Sequence, residues 1–276
     1  MGFFDPGTSA VDWCESNYQV HSSIAEFFNT VTNFLFFLGP PMMIFSFKNY
    51  SNLVTKGVYL IWFMLVIVGL GSVYFHSTLT MAGQLMDELS ILWVIMTGYT
   101  ILFPDMLLPL FFQKKRHLFY IVSGITTSLI TYFGFLNPSL NAYCLMLASV
   151  PMMAVMKYLN KEASLKLKRL GNRTFVIWGL AVFFWVMDRL FCGLWLKLGI
   201  PYFHGIFHVL IYLASHRTIV YYAFFTAESR VPNLAPVLEY WPNLEKWDFM
   251  ALPYVDFEFI KSNRNKTKNL IGAHRD

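Results

Sequence analysis

The sequence predicts an all-α integral membrane protein of seven transmembrane helices, with the N-terminus luminal or outside and the C-terminus cytosolic. Three observations carry that expectation: a charge-poor composition, seven apolar runs of spanning length, and a one-sided distribution of Lys and Arg. Of 276 residues, 56% are hydrophobic, 18% aromatic and only 13% charged, where ordinary soluble domains carry roughly 25% charged residues. In water such a chain would expose large apolar patches; in a bilayer those patches face lipid. Met1-Gly2-Phe3-Phe4-Asp5-Pro6 has neither a basic n-region nor an apolar h-region, so no signal peptide is expected.

An acidic segment, residues 1–23, holds no Lys or Arg and is assigned to the lumen. The apolar runs follow at approximately 24–46, 57–76, 84–103, 117–136, 139–158, 174–195 and 202–226. Each approaches or exceeds the roughly 20 residues that cross the hydrocarbon core. All should be helices, because a spanning segment must satisfy its backbone internally. Pro40-Pro41 should kink the first and Pro151 the fifth. The transmembrane domain is thus 24–226, and 227–276 is a cytosolic tail ending in the basic run Lys261 to Lys268.

Orientation follows from the basic residues. The 1–2, 3–4 and 5–6 loops and the tail carry 18 of the 21 Lys and Arg. The opposite side has Lys197, while Arg189 and Arg217 lie within spans. The net charge of +5 is mostly this bias. It excludes a nucleic-acid partner, since no basic patch interleaved with stacking aromatics lies outside the membrane.

This topology brings ionisable residues to one depth. Ser72 and His76 are four apart at the outer end of the second span, so they share a helix face about 6 Å apart along the axis. Asp87 lies near the outer start of the third span, and His204 and His208 open the seventh. Ionisable groups inside apolar helices are costly and mark function by default. His204 and His208, at i and i+4, make a two-ligand zinc half-site, and His76 supplies a third ligand. Three protein ligands with an open position is the arrangement of catalytic zinc. Zinc would lower the pKa of a water toward about 7. Asp87 would accept that water's proton, and Ser72 would bond the water or the developing oxyanion. The scissile group would be an amide or ester of a membrane lipid entering at the outer leaflet. For Ser72 the alternative is a small residue at a helix contact; for the histidine pair alone, it is two amphipathic side chains at the interface.

A second cluster comprises Asp12, Glu15, Asn17 and Glu26. Oxygen ligands of this kind suit a hard cation, best calcium, though without EF-hand spacing; helix capping and solvation account for the composition equally. Glu26, Asn29 or Thr30, and Asn33 form a polar stripe expected to face the bundle interior. Of the three cysteines, Cys14, Cys144 and Cys192, the first and last lie on the luminal side, as a disulfide or as free thiols. Asp188 would orient a histidine or make a helix–helix bond. His216-Arg217 has no assigned role; His216 is some 18 Å deeper than His204, too far to share its metal.

These residues resemble the alkaline ceramidase family. The resemblance rests on Asp12-Trp13-Cys14-Glu15-x-Asn17-Tyr18, Ala25-Glu26-Phe27, Gly71-Ser72-x-Tyr74-Phe75-His76, Gln84-Leu85-x-Asp87-Glu88, Asp188-Arg189-x-x-Cys192, His204-x-x-x-His208, and the tail segments Tyr240-Trp241-Pro242 and Leu252-Pro253-Tyr254-Val255. It implies a seven-helix amidase of the endoplasmic reticulum or Golgi membrane that cleaves ceramide to sphingosine and a fatty acid, preferably at alkaline pH. It also implies zinc at His76, His204 and His208, with Ser72 and Asp87 acting on the water. Calcium would sit at Asp12, Trp13 (by its backbone carbonyl), Glu15, Asn17 and Glu26, and Cys14–Cys192 would be a disulfide. The partners implied are ceramide and the bilayer; no protein partner is inferable. Adiponectin-receptor-like proteins share the Ser, Asp and three-His arrangement, so a zinc-containing seven-helix receptor is the alternative reading. The acidic segment from Asp12 to Glu26 argues against it. A transporter would need a polar path across the membrane, whereas these groups gather on one side.

Overall fold

The computed structural model describes residues 2–242 and 251–260. Seven long helices succeed one another: α1 (Phe27–Ser46), α2 (Gly57–Thr78), α3 (Met81–Leu102), α4 (Arg116–Leu136), α5 (Asn141–Leu159), α6 (Leu165–Leu190) and α7 (Phe203–Arg230). The helices α1 to α6 are long and apolar enough to cross a membrane. A seventh span is reached when the short helix Cys192–Leu198 and α7, which meet at 112°, are taken together. The polar content of α7 explains the difference: its histidines and Arg217 interrupt an otherwise apolar run. Large side chains such as Phe45 and Leu147 point outward, at 82% and 70% exposure, which suits lipid as solvent. The chain is therefore a multi-pass membrane protein.

Two features depart from the sequence expectation. Helix geometry runs unbroken through Pro40-Pro41 and Pro151. The departure from α form lies earlier, as a 3-10 turn at Thr32–Phe34. There Thr32 Oγ1 bonds the carbonyls of Phe28 and Asn29, and Asn33 Nδ2 donates to Asn29 O. Such side-chain bonds compete with the i→i−4 ladder. The second departure is α6, which begins at Leu165 rather than 174 and stops at Leu190. Its first turns hold Lys166, Lys168, Arg169 and Arg173, so the helix extends beyond its apolar stretch.

The α2–α3 hairpin organises the bundle. Only Leu79 and Thr80 separate the two helices. Leu79 takes a left-handed conformation at φ 51°, and Thr80 caps α3 by accepting from Gly83 N. A helix C-terminus leaves its last carbonyls unbonded. Here the N-terminal segment satisfies them: Glu26 N donates to His76 O, Ala25 N to Ser77 O, Gly7 N to Thr78 O and Ser9 N to Leu79 O. Residues 2–26 are thus laid across the heads of α2 and α3. The Cys14–Cys192 disulfide, with Cα atoms 5.3 Å apart, ties this segment to the turn after α6. Cys144 is free.

The tail departs from the simple polar segment expected. Beyond α7, β1 (Pro236–Trp241) pairs antiparallel with β2 (Leu252–Phe257) at the foot of the bundle. Leu238, Val255 and Phe257 pack into the main apolar core with Phe47 and Tyr50. His216, fully buried, has Nε2 3.1 Å from Pro253 O and its ring against Trp62. It anchors β2 and lies apart from the other histidines. The basic run Lys261 to Lys268 lies outside the described residues.

Candidate metal centre and its cavity

His76, His204 and His208 converge at the head of the bundle, with one ligand atom from each all within 4.8 Å of one another. All three are buried. Each is held by a different contact. His76 Nδ1 lies 2.5 Å from Glu26 Oε2. His208 Nδ1 lies 3.0 Å from Thr32 Oγ1, which the 3-10 turn presents, and 3.5 Å from Asn33 Nδ2. The His204 imidazole stacks on Trp13 at 3.6 Å, and Arg189 lies over the other side of that indole. Asp188 bonds the backbone, accepting His204 N–H through Oδ1 and Cys14 N–H through Oδ2; of its two expected roles, this is the structural one. With Nδ1 engaged, His76 and His208 are left with Nε2 for a ligand. Among the described residues, His76 Nε2 and His204 Nδ1 are buried with no hydrogen-bond partner. Buried polar atoms are rarely left so. A neutral three-imidazole donor set fits zinc.

Ser72 and Asp87 are also buried, and they face each other across the hairpin. Glycine makes that approach possible. A Cβ on Gly71 would stand 2.9 Å from Asp87 N and from the Met86 carbonyl, and one on Gly83 would stand 2.8 Å from Phe75 Cα. These obstacles are backbone, which cannot swing aside. We expect Gly71→Ala to destabilise the protein by about 1–3 kcal/mol, as overpacking does, and to lower activity by moving Asp87 off Ser72. Thermal unfolding in detergent beside an activity assay checks this; an unchanged midpoint with full turnover would refute the tight contact.

Below these groups an apolar cavity opens. Trp13, Ser72, Asp87, His204 and His208 line its head, and Leu102 and Tyr222 lie at its far end. Fifteen residues of helix separate Asp87 from Leu102, a depth of about 22 Å. Polar groups crowd the head, and the walls are mainly Ile, Val, Leu, Met and Phe.

The acidic cluster divides between two tasks. Glu15 accepts from Phe28 N (2.7 Å) and Asn29 N (2.8 Å), so its carboxylate caps α1. Burial raises its pKa, opposed by those two N–H bonds. Glu26 accepts from Trp13 N through Oε1 and from Asn29 Nδ2 through Oε2, the oxygen that also faces His76. Asp12 lies beside Glu26, and burial followed by that neighbouring carboxylate raises its pKa. Asn17 Nδ2 contacts Asp12, while Asn17 Oδ1 is buried without a partner. The expected inward stripe is present as Glu26, Asn29 and Asn33, all buried.

Sequence reasoning missed the Glu26–His76 contact, the Trp13 stack on His204 and the Thr32 contact to His208. These pairs are 50 to 191 residues apart, and no local periodicity joins them. The motif Ala25-Glu26-Phe27 was the available signal for the first, and it pointed to calcium instead.

The fold and site define a class: a multi-pass membrane protein whose buried histidines could hold a metal ion above a lipid-sized apolar cavity. Comparison with known proteins makes it specific. The profile of the Ceramidase family matches residues 5–256. The chain is 44% identical over 252 residues to an alkaline ceramidase of Drosophila melanogaster, covering 91% of this chain and 88% of that protein. It is 36% identical over 250 residues to alkaline ceramidase 1 of Homo sapiens, covering 90% and 94%. An alkaline ceramidase of Caenorhabditis elegans is 35% identical over 252 residues, covering 89% and 92%. The chain belongs to the ceramidase family, and it is an enzyme of the alkaline ceramidase type.

Proposed function

We propose that this protein hydrolyses the amide bond of ceramide within the membrane, releasing sphingosine and a fatty acid, with zinc held by His76, His204 and His208. One observation carries the reading: the three buried imidazoles converge beside Ser72 and Asp87 at the polar head of a long apolar cavity. A lipid with its amide at the head and a tail below matches that division. A zinc ion there would lower the pKa of a water and polarise the amide carbonyl. Asp87 takes the proton of the attacking water and delivers it to the departing nitrogen. Ser72 donates to the oxyanion as the carbonyl is attacked. Glu26 and Thr32 hold two of the imidazoles in the tautomer that leaves Nε2 toward the centre. Trp13 and the walls exclude bulk water.

The test is mass spectrometry of purified protein given ceramide, before and after chelation, with metal content measured in parallel. Sphingosine release that stops on chelation and returns with zinc is the expected result. Release that continues from metal-free protein overturns the zinc assignment, and no release from any preparation overturns the reaction.

Calcium fits the second cluster. Asp12 beside Glu26, with Asn17 Oδ1 buried and unbonded, leaves oxygen donors that a cation would pair. Glu15 and the Trp13 carbonyl complete the proposed set, Glu15 with its cap bonds retained. The proposed ion braces a segment that backbone bonds and the disulfide already hold.

The orientation proposed places the head in the lumen of the endoplasmic reticulum or Golgi, whose oxidising chemistry suits the Cys14–Cys192 bridge. The sequons Asn49-Tyr50-Ser51 and Asn172-Arg173-Thr174 lie at the opposite end of the bundle, and Asn265-Lys266-Thr267 lies outside the described residues. None should carry a glycan. Glycosidase treatment of the native protein checks this, and a mobility shift traced to Asn172 would invert the topology.

A further inference from the structure

One residue of the cavity wall is unlike the rest. Gly98 lies in the middle of α3, where glycine costs about 0.5–1 kcal/mol relative to alanine. Elsewhere on this hairpin that cost has a visible return. Gly71 and Gly83 stand where a Cβ would strike the partner helix's backbone at 2.9 and 2.8 Å. Gly98 has no such contact. A Cβ built on it meets only one atom within 4 Å, Met152 Cε at 3.9 Å. Helix packing therefore does not demand glycine here.

The cavity does. Gly98 and Met152 both line it. Eleven residues separate Gly98 from Asp87, which is three turns of helix and about 16 Å, ending within about 20° of the same face. The position thus points where Asp87 points, but deep in the channel, between Ile91 above and Leu102 below. Any larger side chain at 98 would project into the path of a hydrocarbon tail.

We infer that Gly98 is a specificity-determining residue: its missing side chain keeps the lower part of the cavity open and sets the length of lipid tail that the enzyme accepts. The inference rests on the ceramide-hydrolysis reading. The tail concerned is a straight hydrocarbon chain, either the fatty acyl chain or the sphingoid base. Gly98 touches none of the polar groups at the head, so its substitution leaves the reacting atoms in place.

The test is a substrate-length series on purified protein in mixed micelles. In one arm the acyl chain varies from six to 24 carbons on a constant base; in the other the base varies on a constant acyl chain. Gly98→Leu is expected to lower kcat/KM for the long members of one arm at least tenfold, with the six-carbon member within twofold of the parent. The arm that responds identifies the tail in the cavity. Gly98→Ala, whose methyl is accommodated at ordinary contact distance, should give a smaller shift in the same direction and guards against misfolding of the leucine variant. An unchanged length profile in both variants, or an equal loss on short and long substrates, overturns the inference. Its failure is distinguishable from failure of the reaction assignment, because the parent's own sphingosine release reports the latter.

Discussion

Asp87→Asn will retain zinc and lose ceramide turnover by about 10²–10⁴-fold, the range for removal of a positioned general base. The carboxylate contributes to proton transfer and lies outside the three-imidazole set, so the metal has no reason to leave. His76→Ala, His204→Ala and His208→Ala should differ in kind. Each removes a third of the donor set and leaves two imidazoles too few to hold zinc in catalytic geometry. Metal and activity should disappear together in all three. Metal analysis by mass spectrometry, paired with sphingosine release, separates the two patterns. A zinc-replete, fully active Asp87→Asn enzyme would remove the general-base role. A histidine variant that keeps both zinc and turnover would remove that residue from the metal centre. The signs also separate the enzyme from a receptor of similar architecture, which would have no turnover to lose.

How much of this site the amino-acid order reveals depends on the distance over which a contact is made. Ser72 and His76 share a face because helix geometry makes it so. His204 and His208 do so for the same reason. Asp87 reaches that level because a hairpin between two spans must return the chain to the same side. Span length is legible from composition, since every backbone group in lipid must be bonded locally. What tertiary packing alone decides was not legible. Thr32 meets His208 only because a 3-10 turn redirects it, and that turn arises from side-chain bonds rather than from the nearby prolines. Trp13 reads as an oxygen donor from its motif, while its ring lies flat on an imidazole 191 residues away. His216 had no reading because its partner, Pro253, belongs to a strand in a tail that looks merely polar. Glu15 was one of two open alternatives, cation ligand or helix cap. The cap is formed, from twelve residues upstream of the helix it serves.

Glu26 is where the two proposed metals meet, and its substitution has a large and diagnostic expected effect. Its Oε1 accepts the Trp13 N–H, and its Oε2 faces both His76 Nδ1 and Asn29 Nδ2. All these partners present N–H when His76 keeps Nε2 for the metal. Glutamine at 26 has one acceptor and one donor group, so an N–H must face an N–H. The weak point is the His76 contact, because loss of the partner that orients a ligand imidazole typically costs 10–100-fold in metal affinity or activity. Glu26→Gln should therefore weaken zinc by about that factor, and added calcium should not restore it. Asp12→Asn gives the control, since Asp12 neighbours Glu26 without contacting a histidine in the described network. That variant should keep zinc affinity, lose calcium affinity and regain turnover as calcium is raised. Competition with a zinc-sensitive dye, run beside a calcium titration of turnover, reads both. If Glu26→Gln holds zinc like the parent and is rescued by calcium, Glu26 serves the calcium site alone and the short bond to His76 carries no weight in zinc binding. If neither variant responds to calcium, the cluster of Asp12, Asn17 and Glu26 orders the segment without an ion.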